Sequence, residues 1–305
     1  MKGLFVTRNR KAGELARTLQ RLAASDLSLV LEGETGVGKS FVATRAHRTS
    51  RRGRPFVVVD CGSLPATLVP SALFGHRAGA FTDATRHHTG LLERAGDGTL
   101  VLDHVEALPP EGQTSLLRAL EERAFSPVGT PVLQPFRARV IALAAAGFRE
   151  SVDVGEFRPD LYHRLAGFHA TLLALRYRPE DILPFALAFL RRAARKGSAP
   201  LALDPDAGKL LHAYPWPGNF RELETVLIRA VVQADGGMVC PGDLGLPAGA
   251  WPQVMEVAAG RAAPLVEIQR LYAVWVLGLE RGNVSRAARI LGVSRRTLIR
   301  WRRDS

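Results

Sequence analysis

The sequence predicts a chain in three parts: an α/β core with a parallel sheet, a helical subdomain, and a small all-α unit at the C-terminal end. A short apolar strand at residues 27–31 runs directly into a glycine-rich loop and a helix. A second apolar strand, residues 98–103, ends on a carboxylate. Residues 283–301 have the spacing of two short helices joined by a tight turn. Buried strands that alternate with helices are typical of a parallel sheet.

Composition limits the classes of function that the chain can have. Its 305 residues carry a formal net charge of +12, which favours an anionic partner. Lys accounts for five of the 41 basic residues, and this Arg bias makes charge alone a weak argument for DNA binding. Two cysteines, Cys61 and Cys240, are too few for a disulfide framework, and we interpret them as reduced core residues. Without an apolar run of transmembrane length or a signal segment, we expect a cytoplasmic protein with no membrane partner.

A glycine-rich loop joins the first strand to the first helix of the core. Residues 33–40 read Gly-Glu-Thr-Gly-Val-Gly-Lys-Ser, which is the P-loop pattern. Its glycines let backbone N–H groups surround phosphates, and the following helix points its positive dipole end at them. Lys39 would supply a point charge to the β- and γ-phosphates, and Ser40 a hydroxyl ligand to Mg²⁺. The predicted ATP-binding residues are Gly33, Glu34, Thr35, Gly36, Val37, Gly38, Lys39 and Ser40.

The strand at residues 98–103 predicts the second half of a nucleotide site. In P-loop NTPases an Asp at the end of such a strand holds Mg²⁺, so Asp103 is predicted to do so together with Ser40. The next residue, His104, carries an imidazole that can accept a proton near neutral pH. Glu106 is close in sequence, but nothing in the sequence places it at the same point as residue 104.

The C-terminal segment 283–301 has helix–turn–helix spacing. Small Ala288 lets two helices cross closely, Gly292 makes the turn and Ser294 can cap the second helix. Residues 281–305 contain eight Arg and one acidic residue. This arrangement predicts binding of double-stranded DNA, with some side chains in the groove and some on phosphates. The candidates are Arg295, Arg296, Thr297 and Arg300, whereas Trp301 is interpreted as a packing residue.

One loop narrows the function further. Residues 79–84 read Gly-Ala-Phe-Thr-Asp-Ala, in which small residues surround one aromatic, as in a mobile surface loop. The segment resembles the Gly-Ala-Phe-Thr-Gly-Ala loop by which bacterial enhancer-binding proteins, the AAA+ activators of sigma-54 RNA polymerase, contact sigma-54. The resemblance implies that Phe81 and Thr82 contact the sigma factor and that the core is an AAA+ ATPase domain.

Other segments resemble the same family. Residues 157–165 resemble its arginine-finger segment, which implies that Arg158 and Arg164 reach the nucleotide of a neighbouring subunit in a homo-oligomer. Residues 216–223 resemble its sensor II motif, which implies that Arg221 approaches the phosphates. Residues 283–301 resemble its Fis-type DNA-binding domain. Because the P-loop strand begins near residue 27, we expect a member without an N-terminal receiver or sensory domain.

The reacting centre departs from the family pattern at three positions. His104 stands where the family has the Glu that orients the attacking water, and Asp60 where it has the Asn that pairs with this Glu. Ala145 replaces the polar sensor I residue. Asp60 and His104 could still form a charge-assisted hydrogen bond. The three changes predict slow or absent hydrolysis with nucleotide binding retained. The contact loop also differs, with Asp83 in place of Gly, and Ala72 stands where the family usually has Glu.

The predicted organisation is an α/β subdomain at 1–172, a helical lid at 173–247, a linker at 248–264 and the helix–turn–helix domain at 265–305. The first hypothesis is a sigma-54-type regulator that binds DNA and assembles through ATP. The second is a degenerate relative that binds ATP and DNA but neither hydrolyses ATP efficiently nor remodels sigma-54 polymerase. A DNA-remodelling or loader ATPase is the third, and the loop at 79–84 argues against it.

Overall fold

The computed structural model describes residues 7–80, 84–193, 201–234, 237–246, 264–280 and 283–303. The chain forms two compact units, one of residues Arg10–Leu173 and one of Thr7–Asn9 together with the chain from Ala174 onwards. Phe81 and Thr82, the predicted sigma-factor contacts, lie outside the described residues, and so does Asp83. The same holds for the predicted linker apart from Pro264.

The first unit is an α/β domain whose strands and helices alternate. Its strands are β1 (Leu29–Glu32), β2 (Phe56–Asp60), β3 (Gly75–His76), β4 (His88–Thr89), β5 (Thr99–Asp103), β6 (Ala124–Phe125), β7 (Gln134–Pro135), β8 (Arg139–Ala144) and β9 (Phe168–Thr171). Its helices are α1 (Arg10–Ala23), α2 (Lys39–Ser50), α3 (Val69–Phe74), α4 (Leu91–Ala95), α5 (Pro110–Glu122), α6 (Phe148–Asp153) and α7 (Pro159–Leu165).

Five strands form one sheet in the order β2-β5-β8-β1-β9, and all of their pairings are parallel. Helices cover both faces, as a parallel sheet requires. Successive side chains of a strand point to opposite faces of the sheet. Leu100 and Leu102 of β5 therefore pack in one core cluster, and Val101 between them packs in the other. This confirms the predicted fold class for the core.

Parallel strands bring their carboxyl ends to one edge of the sheet, and this arrangement builds the candidate site. β1 leads into the P-loop there, β2 ends at Asp60, β5 at Asp103 and β8 one residue before Ala145. Asp60 and Asp103 are direct register partners. Ligands of open α/β sheets bind at this edge.

A buried arginine closes the opposite end of the sheet. Arg139, at the start of β8, is 1% exposed and donates hydrogen bonds to the carbonyl oxygens of Leu22, Ala23 and Leu27. Burial lowers its pKa to about 10, which leaves the guanidinium charged at neutral pH. Arg139 therefore ties the end of α1 and the segment that precedes β1 to the central strand.

The second unit is mainly helical. It contains α8 (Ile182–Ala193), α9 (Pro205–Ala213), α10 (Asn219–Gln233), α11 (Leu265–Leu279), α12 (Val284–Ile290) and α13 (Arg295–Arg303). Two short strands, β10 (Ala202–Leu203) and β11 (Met238–Val239), pair in parallel, so the interpretation of residues 173–247 as purely helical was incomplete.

Helix α11 belongs to two cores of this unit. Leu271 and Val274 pack in the core formed by the helices of residues 175–246. Ala273, Val276 and Leu277, on the other face, pack with Ala287, Ala288 and Leu298 of α12 and α13. The expected helix–turn–helix domain of residues 265–305 therefore shares its first helix with the helical subdomain.

His76 and His88 are register partners in the antiparallel pair β3–β4, and their rings stack at 5.5 Å. One sequence interpretation needs correction. Cys61 is buried as predicted, but Cys240 is half-buried and caps a helical turn instead of filling the core. None of the described helices is long and apolar enough to cross a membrane.

Candidate nucleotide and DNA sites

The P-loop has a backbone that glycine permits. Gly33, Gly36 and Gly38 have φ values of 153°, 77° and 105°. A Cβ added at Gly33 would lie 3.0 Å from the carbonyl oxygen of Leu172, whereas one at Gly38 would meet nothing within 4 Å. Gly33 N–H donates to Ala144 O at 3.2 Å, which joins the loop to β8.

The charges of the loop suit a phosphate chain. Helix α2 begins at Lys39, so its first N–H groups have no partners inside the helix. The Lys39 ammonium donates to the carbonyl oxygens of Gly33 and Glu34 in the same loop. Ser40 is exposed on the first turn of α2. The helix N–H groups and the ammonium form a donor set that fits the phosphates of ATP, and the hydroxyl oxygen of Ser40 can be a ligand to a hard cation.

Asp60 and His104 meet beside Asp103, as the sequence predicted. His104 Nδ1 lies 3.1 Å from Asp60 Oδ1 and 3.9 Å from Asp103 Oδ1. The backbone N–H of His104 donates to Asp103 Oδ1 at 3.1 Å. His104 has left-handed backbone angles, φ 51° and ψ 50°, which turn its ring towards the end of β2. The two side chains are about half exposed, so solvent reaches the pair.

The hydrogen bond between Asp60 and His104 determines which nitrogen of the neutral imidazole carries the proton. The bond from His104 lowers the pKa of Asp60, slight burial opposes this, and the N–H of Gly62 adds to the lowering. Asp60 is therefore a carboxylate at neutral pH and accepts the proton of His104 Nδ1. In a neutral imidazole this leaves Nε2 as a proton acceptor, as in an Asp–His pair. No described residue forms a hydrogen bond with Nε2.

Glu106 is a site residue that the sequence did not reveal. Its Oε1 accepts the backbone N–H of Ala145 at 3.1 Å, and its Oε2 is buried without a hydrogen-bond partner among the described residues. The 3₁₀ turn Val105–Ala107 after β5 carries this side chain to the end of β8. Ala145 has lost the polar side chain expected there, and Glu106 instead holds its backbone.

The two predicted finger arginines lie on and beside the short helix α7. Arg158 precedes the helix and pairs with Asp160 through two hydrogen bonds of 3.0 and 2.7 Å. This pairing raises the pKa of Arg158 and lowers that of Asp160. Arg164 donates to Leu120 O at 3.1 Å and is exposed. Both guanidinium groups lie at the surface of this unit, where another subunit could meet them.

A chain of side chains links α7 to the strand that enters the P-loop. Glu32, the last residue of β1, has Oε2 2.8 Å from Nε2 of His169, close enough for an ion pair although the N–H is not aligned for a hydrogen bond. His169 Nδ1 lies 2.8 Å from the hydroxyl of Tyr162 on α7. Glu32 Oε1 also accepts the N–H of Gly147 after β8. Sequence patterns gave no sign of this connection.

Arg221 belongs to the second unit. It is exposed on the first turn of α10, and no described residue pairs with its guanidinium. Burial and hydrogen bonds hold the residues just before Arg221 in place. Trp216 is fully buried and its Nε1–H donates to Leu211 O, and Asn219 Oδ1 accepts the N–H of Leu175 at 2.7 Å. A role of Arg221 at the phosphates stays a prediction.

Side chains cap both of the last two helices, and the sequence predicted the second of these caps, at Ser294. Asn283 Oδ1 accepts the N–H of Arg286 at the start of α12. Ser294 Oγ accepts the N–H of Thr297 at 3.0 Å at the start of α13, and Gly292 has φ 66°. Leu298 is the buried anchor of α13, and Trp301 packs against the same core as expected.

The recognition candidates lie on the outer side of α13. Arg295, Arg296 and Arg300 are exposed, and no described residue pairs with their side chains. Thr297 is half-buried, and its hydroxyl lies 2.8 Å from Ser294 Oγ. The arginines are therefore free to meet DNA, whereas Thr297 is partly engaged in the cap.

Comparison with protein families assigns a known domain to each of three parts of the chain. Residues 5–171 match the sigma-54 interaction domain, residues 176–248 an AAA+ ATPase lid domain, and residues 276–303 a bacterial regulatory protein domain of the Fis family. The chain belongs to the sigma-54 interaction domain family. The resemblance drawn from its motifs is thereby confirmed, and its domain order is a sigma-54 interaction domain, an AAA+ lid domain and a Fis-family domain.

Relatives of this family match most of the chain. Regulatory protein AtoC of Escherichia coli is 36% identical over 97% of the chain, and transcriptional regulatory protein ZraR of Klebsiella oxytoca is 39% identical over 93%. The chain spans 66% of the length of AtoC and 65% of that of ZraR, about two thirds of each.

Solved structures show the same fold. NtrX from Brucella abortus in complex with ADP is 30% identical, has a TM-score of 0.72, and matches 97% of this chain and 69% of its own. The complex of NtrX with ATP has a TM-score of 0.69 at the same identity, over 98% of this chain and 68% of its own.

Proposed function

We propose that the chain is an ATP-binding, DNA-binding transcriptional regulator of sigma-54 RNA polymerase in which nucleotide occupancy matters more than rapid hydrolysis. ATP would bind with its phosphates on the P-loop, and Ser40 and Asp103 would hold Mg²⁺, which supplies charge neutralisation at the phosphates when bound. The observation that carries the proposal is the Asp60–His104 hydrogen bond of 3.1 Å at the end of β5.

Binding and hydrolysis depend on different residues of this site. The P-loop glycines, Lys39 and Asp103 keep the composition that binding needs. Hydrolysis also needs a base that orients water, and general bases contribute about 10²–10⁴-fold to rates. His104 replaces the expected carboxylate, and Ala145 offers only its backbone to Glu106. Slow turnover with intact binding follows from this combination.

Assembly is proposed to use α7. Arg158 and Arg164 lie at the surface, and arginines supplied across a subunit interface can stabilise a nucleotide phosphate. Gln113 Oε1 accepts the N–H of Arg158 at 2.9 Å, so the start of the helix is held in place before any partner arrives. We therefore expect ATP to favour a homo-oligomer, and Arg158→Ala to weaken it.

A second candidate follows from the orientation of His104. Because Nδ1 is bound to Asp60, Nε2 is available to accept a proton from water. In this candidate the pair is a working catalytic device and the chain is a normal ATPase that uses an imidazole base.

Phosphate release by the purified full chain distinguishes the two candidates. The variants are His104→Glu, Asp60→Asn and the double variant, with His87→Glu as a control for adding Glu at an exposed His elsewhere in the same unit. The single His104→Glu places two carboxylates together, which raises one pKa and disturbs the geometry, so we expect little gain. The double variant should exceed wild type by about tenfold or more. Rapid turnover by wild type that falls in His104→Glu would reject the slow-hydrolysis proposal and establish the second candidate.

A further inference from the structure

A cavity of about 500 Å³ lies in the first unit at the far end of α2 from the P-loop. The residues that line it come from the last turns of α2, the turn after it and the start of β2: Thr44, His47, Arg48, Arg52, Gly53 and Phe56. Arg48 is nine residues beyond Lys39, which corresponds to about 13 Å along the helix axis. The cavity is therefore separate from the nucleotide site, and its volume is typical of small-molecule pockets.

Two arginines give this cavity its charge. Arg48 and Arg52 are exposed, and no described residue accepts a hydrogen bond from either guanidinium. The neighbouring arginines are engaged differently, because Arg51 pairs with Asp26 and Arg54 with Asp97. None of the residues that line the cavity is acidic. Two positive charges thus face the cavity without a compensating carboxylate.

His47 and Phe56 give the cavity an aromatic wall. The rings of His47 and Phe56 lie 4.9 Å apart, tilted by 49°, and Phe56 is half-buried. His47 Nδ1 is 2.9 Å from the hydroxyl of Thr99 on β5, which fixes the ring. Burial lowers the pKa of His47, and the charges of Arg51 and Arg48 lower it further, so the wall is neutral at physiological pH. A planar ring could pack against this wall while an anionic group meets the arginines.

We propose that this cavity binds a nucleoside phosphate, with the phosphate held by Arg48 and Arg52 and the base packed on the wall of Phe56 and His47. A phosphate monoester carries close to two negative charges at neutral pH, which matches the two unpaired guanidinium groups. Guanidinium groups bind phosphate oxygens through paired N–H donors, so the geometry favours phosphate over a singly charged carboxylate. This site is independent of the function proposed for the P-loop.

Isothermal titration of the full chain with adenosine 5′-monophosphate tests the proposal. Lys39→Ala is used as the background, so that the P-loop does not contribute. The cavity variant adds Arg48→Ala and Arg52→Ala. The control instead adds Arg10→Ala and Arg118→Ala, which remove the same charge from side chains 92% and 75% exposed elsewhere in this unit. All changed arginines are at the surface, and a thermal melt checks that each variant is folded.

We expect saturable binding in the background and the control, and a loss of about tenfold or more in affinity in the cavity variant. Adenosine without phosphate should bind far more weakly, and so should inorganic phosphate, because each lacks half of the recognised group. Equal affinity in the cavity variant and the control would overturn the site. Inorganic phosphate that binds as tightly as the nucleotide would overturn the aromatic half of the proposal. A third outcome would also overturn the proposal. If the background does not bind the nucleotide and the cavity variant binds a 20-base-pair DNA duplex more weakly than the control does, the two arginines contact the DNA backbone.

Discussion

Helix α11 offers a direct test of how the helical subdomain and the DNA-binding helices are joined, because three leucines on this one helix have different surroundings. Leu271 is 7% exposed in the core of the helical subdomain. Leu277 is 4% exposed in the core of α12 and α13. Leu265 is 69% exposed at the start of the helix. The same substitution, Leu→Ala, therefore probes two cores and one solvent-exposed position.

The magnitudes follow from burial. Removing a buried Leu side chain loses its transfer free energy and leaves a cavity, and such changes cost about 2–5 kcal/mol. We expect Leu271→Ala and Leu277→Ala to reduce the free energy of unfolding by about 2–4 kcal/mol, since each remains slightly exposed. Leu265→Ala should cost no more than about 0.5 kcal/mol. Leu and Ala have similar intrinsic helix propensities, so propensity contributes little to the differences among the three variants.

Hydrogen exchange on the full chain identifies which core each leucine supports. Leu271→Ala should accelerate exchange in α9 and α10, and Leu277→Ala in α12 and α13, because local opening follows lost packing. Urea denaturation measures the cost of each substitution. If Leu271→Ala matched Leu265→Ala in both measurements, α11 would not be part of the subdomain core and the shared-helix description would be wrong.

Further outcomes concern the nucleotide and DNA sites. Lys39→Ala should abolish binding of a fluorescent ATP analogue, whereas His104→Ala should leave it largely intact; equal losses would show that binding and hydrolysis are not separated here. Arg300→Ala should weaken binding to a specific duplex by about 1–3 kcal/mol if this side chain contacts a base edge, and an unchanged footprint would exclude it. The affinity of wild type should fall steeply with salt, as expected when arginines displace counterions from phosphates. The hydrogen bond to His104 lowers the pKa of Asp60 in the folded protein. This bond therefore stabilises the fold fully at pH values above 3.8, the ordinary pKa of Asp, and the stabilisation is lost as the pH falls through the lower pKa of the folded state. Melting curves in acid should accordingly fall more for wild type than for Asp60→Asn, and parallel curves would contradict this sign.

The sequence was most informative where one residue type has one physical use. Glycines of the P-loop, the carboxylate at the end of β5 and the Ser294 cap of the last helix are positions of this kind, and the structure has each where the pattern predicted it. The hydrogen bond between Asp60 and His104 was foreseeable from the family resemblance, because the family pairs the residues at these two positions, and the two strand ends are register partners in the sheet.

Other features depend on the directions of side chains and on which strands are neighbours, and the spacing of residues in the sequence does not determine either. Glu106 reaches Ala145 because a 3₁₀ turn rotates its side chain towards β8, and sequence distance from Asp103 gives no indication of that rotation. Glu32 and His169 meet because β1 and β9 are neighbours at the edge of the sheet, far apart in the chain. The apolar pattern of α11 showed that the helix is buried but could not show that two different cores bury it.

The shared helix limits how regulators of this design could exchange their DNA specificity. A chimaera joined before Leu265 would bring a foreign α11, whose residues at the positions of Leu271 and Val274 must then fill the core of the recipient's helical subdomain. A junction after Glu280 would keep that core but oblige the incoming helices to fit Ala273, Val276 and Leu277. Either graft carries a packing mismatch into a core. New binding sites are therefore easier to reach by substituting the exposed arginines of α13, which can change without disturbing either core.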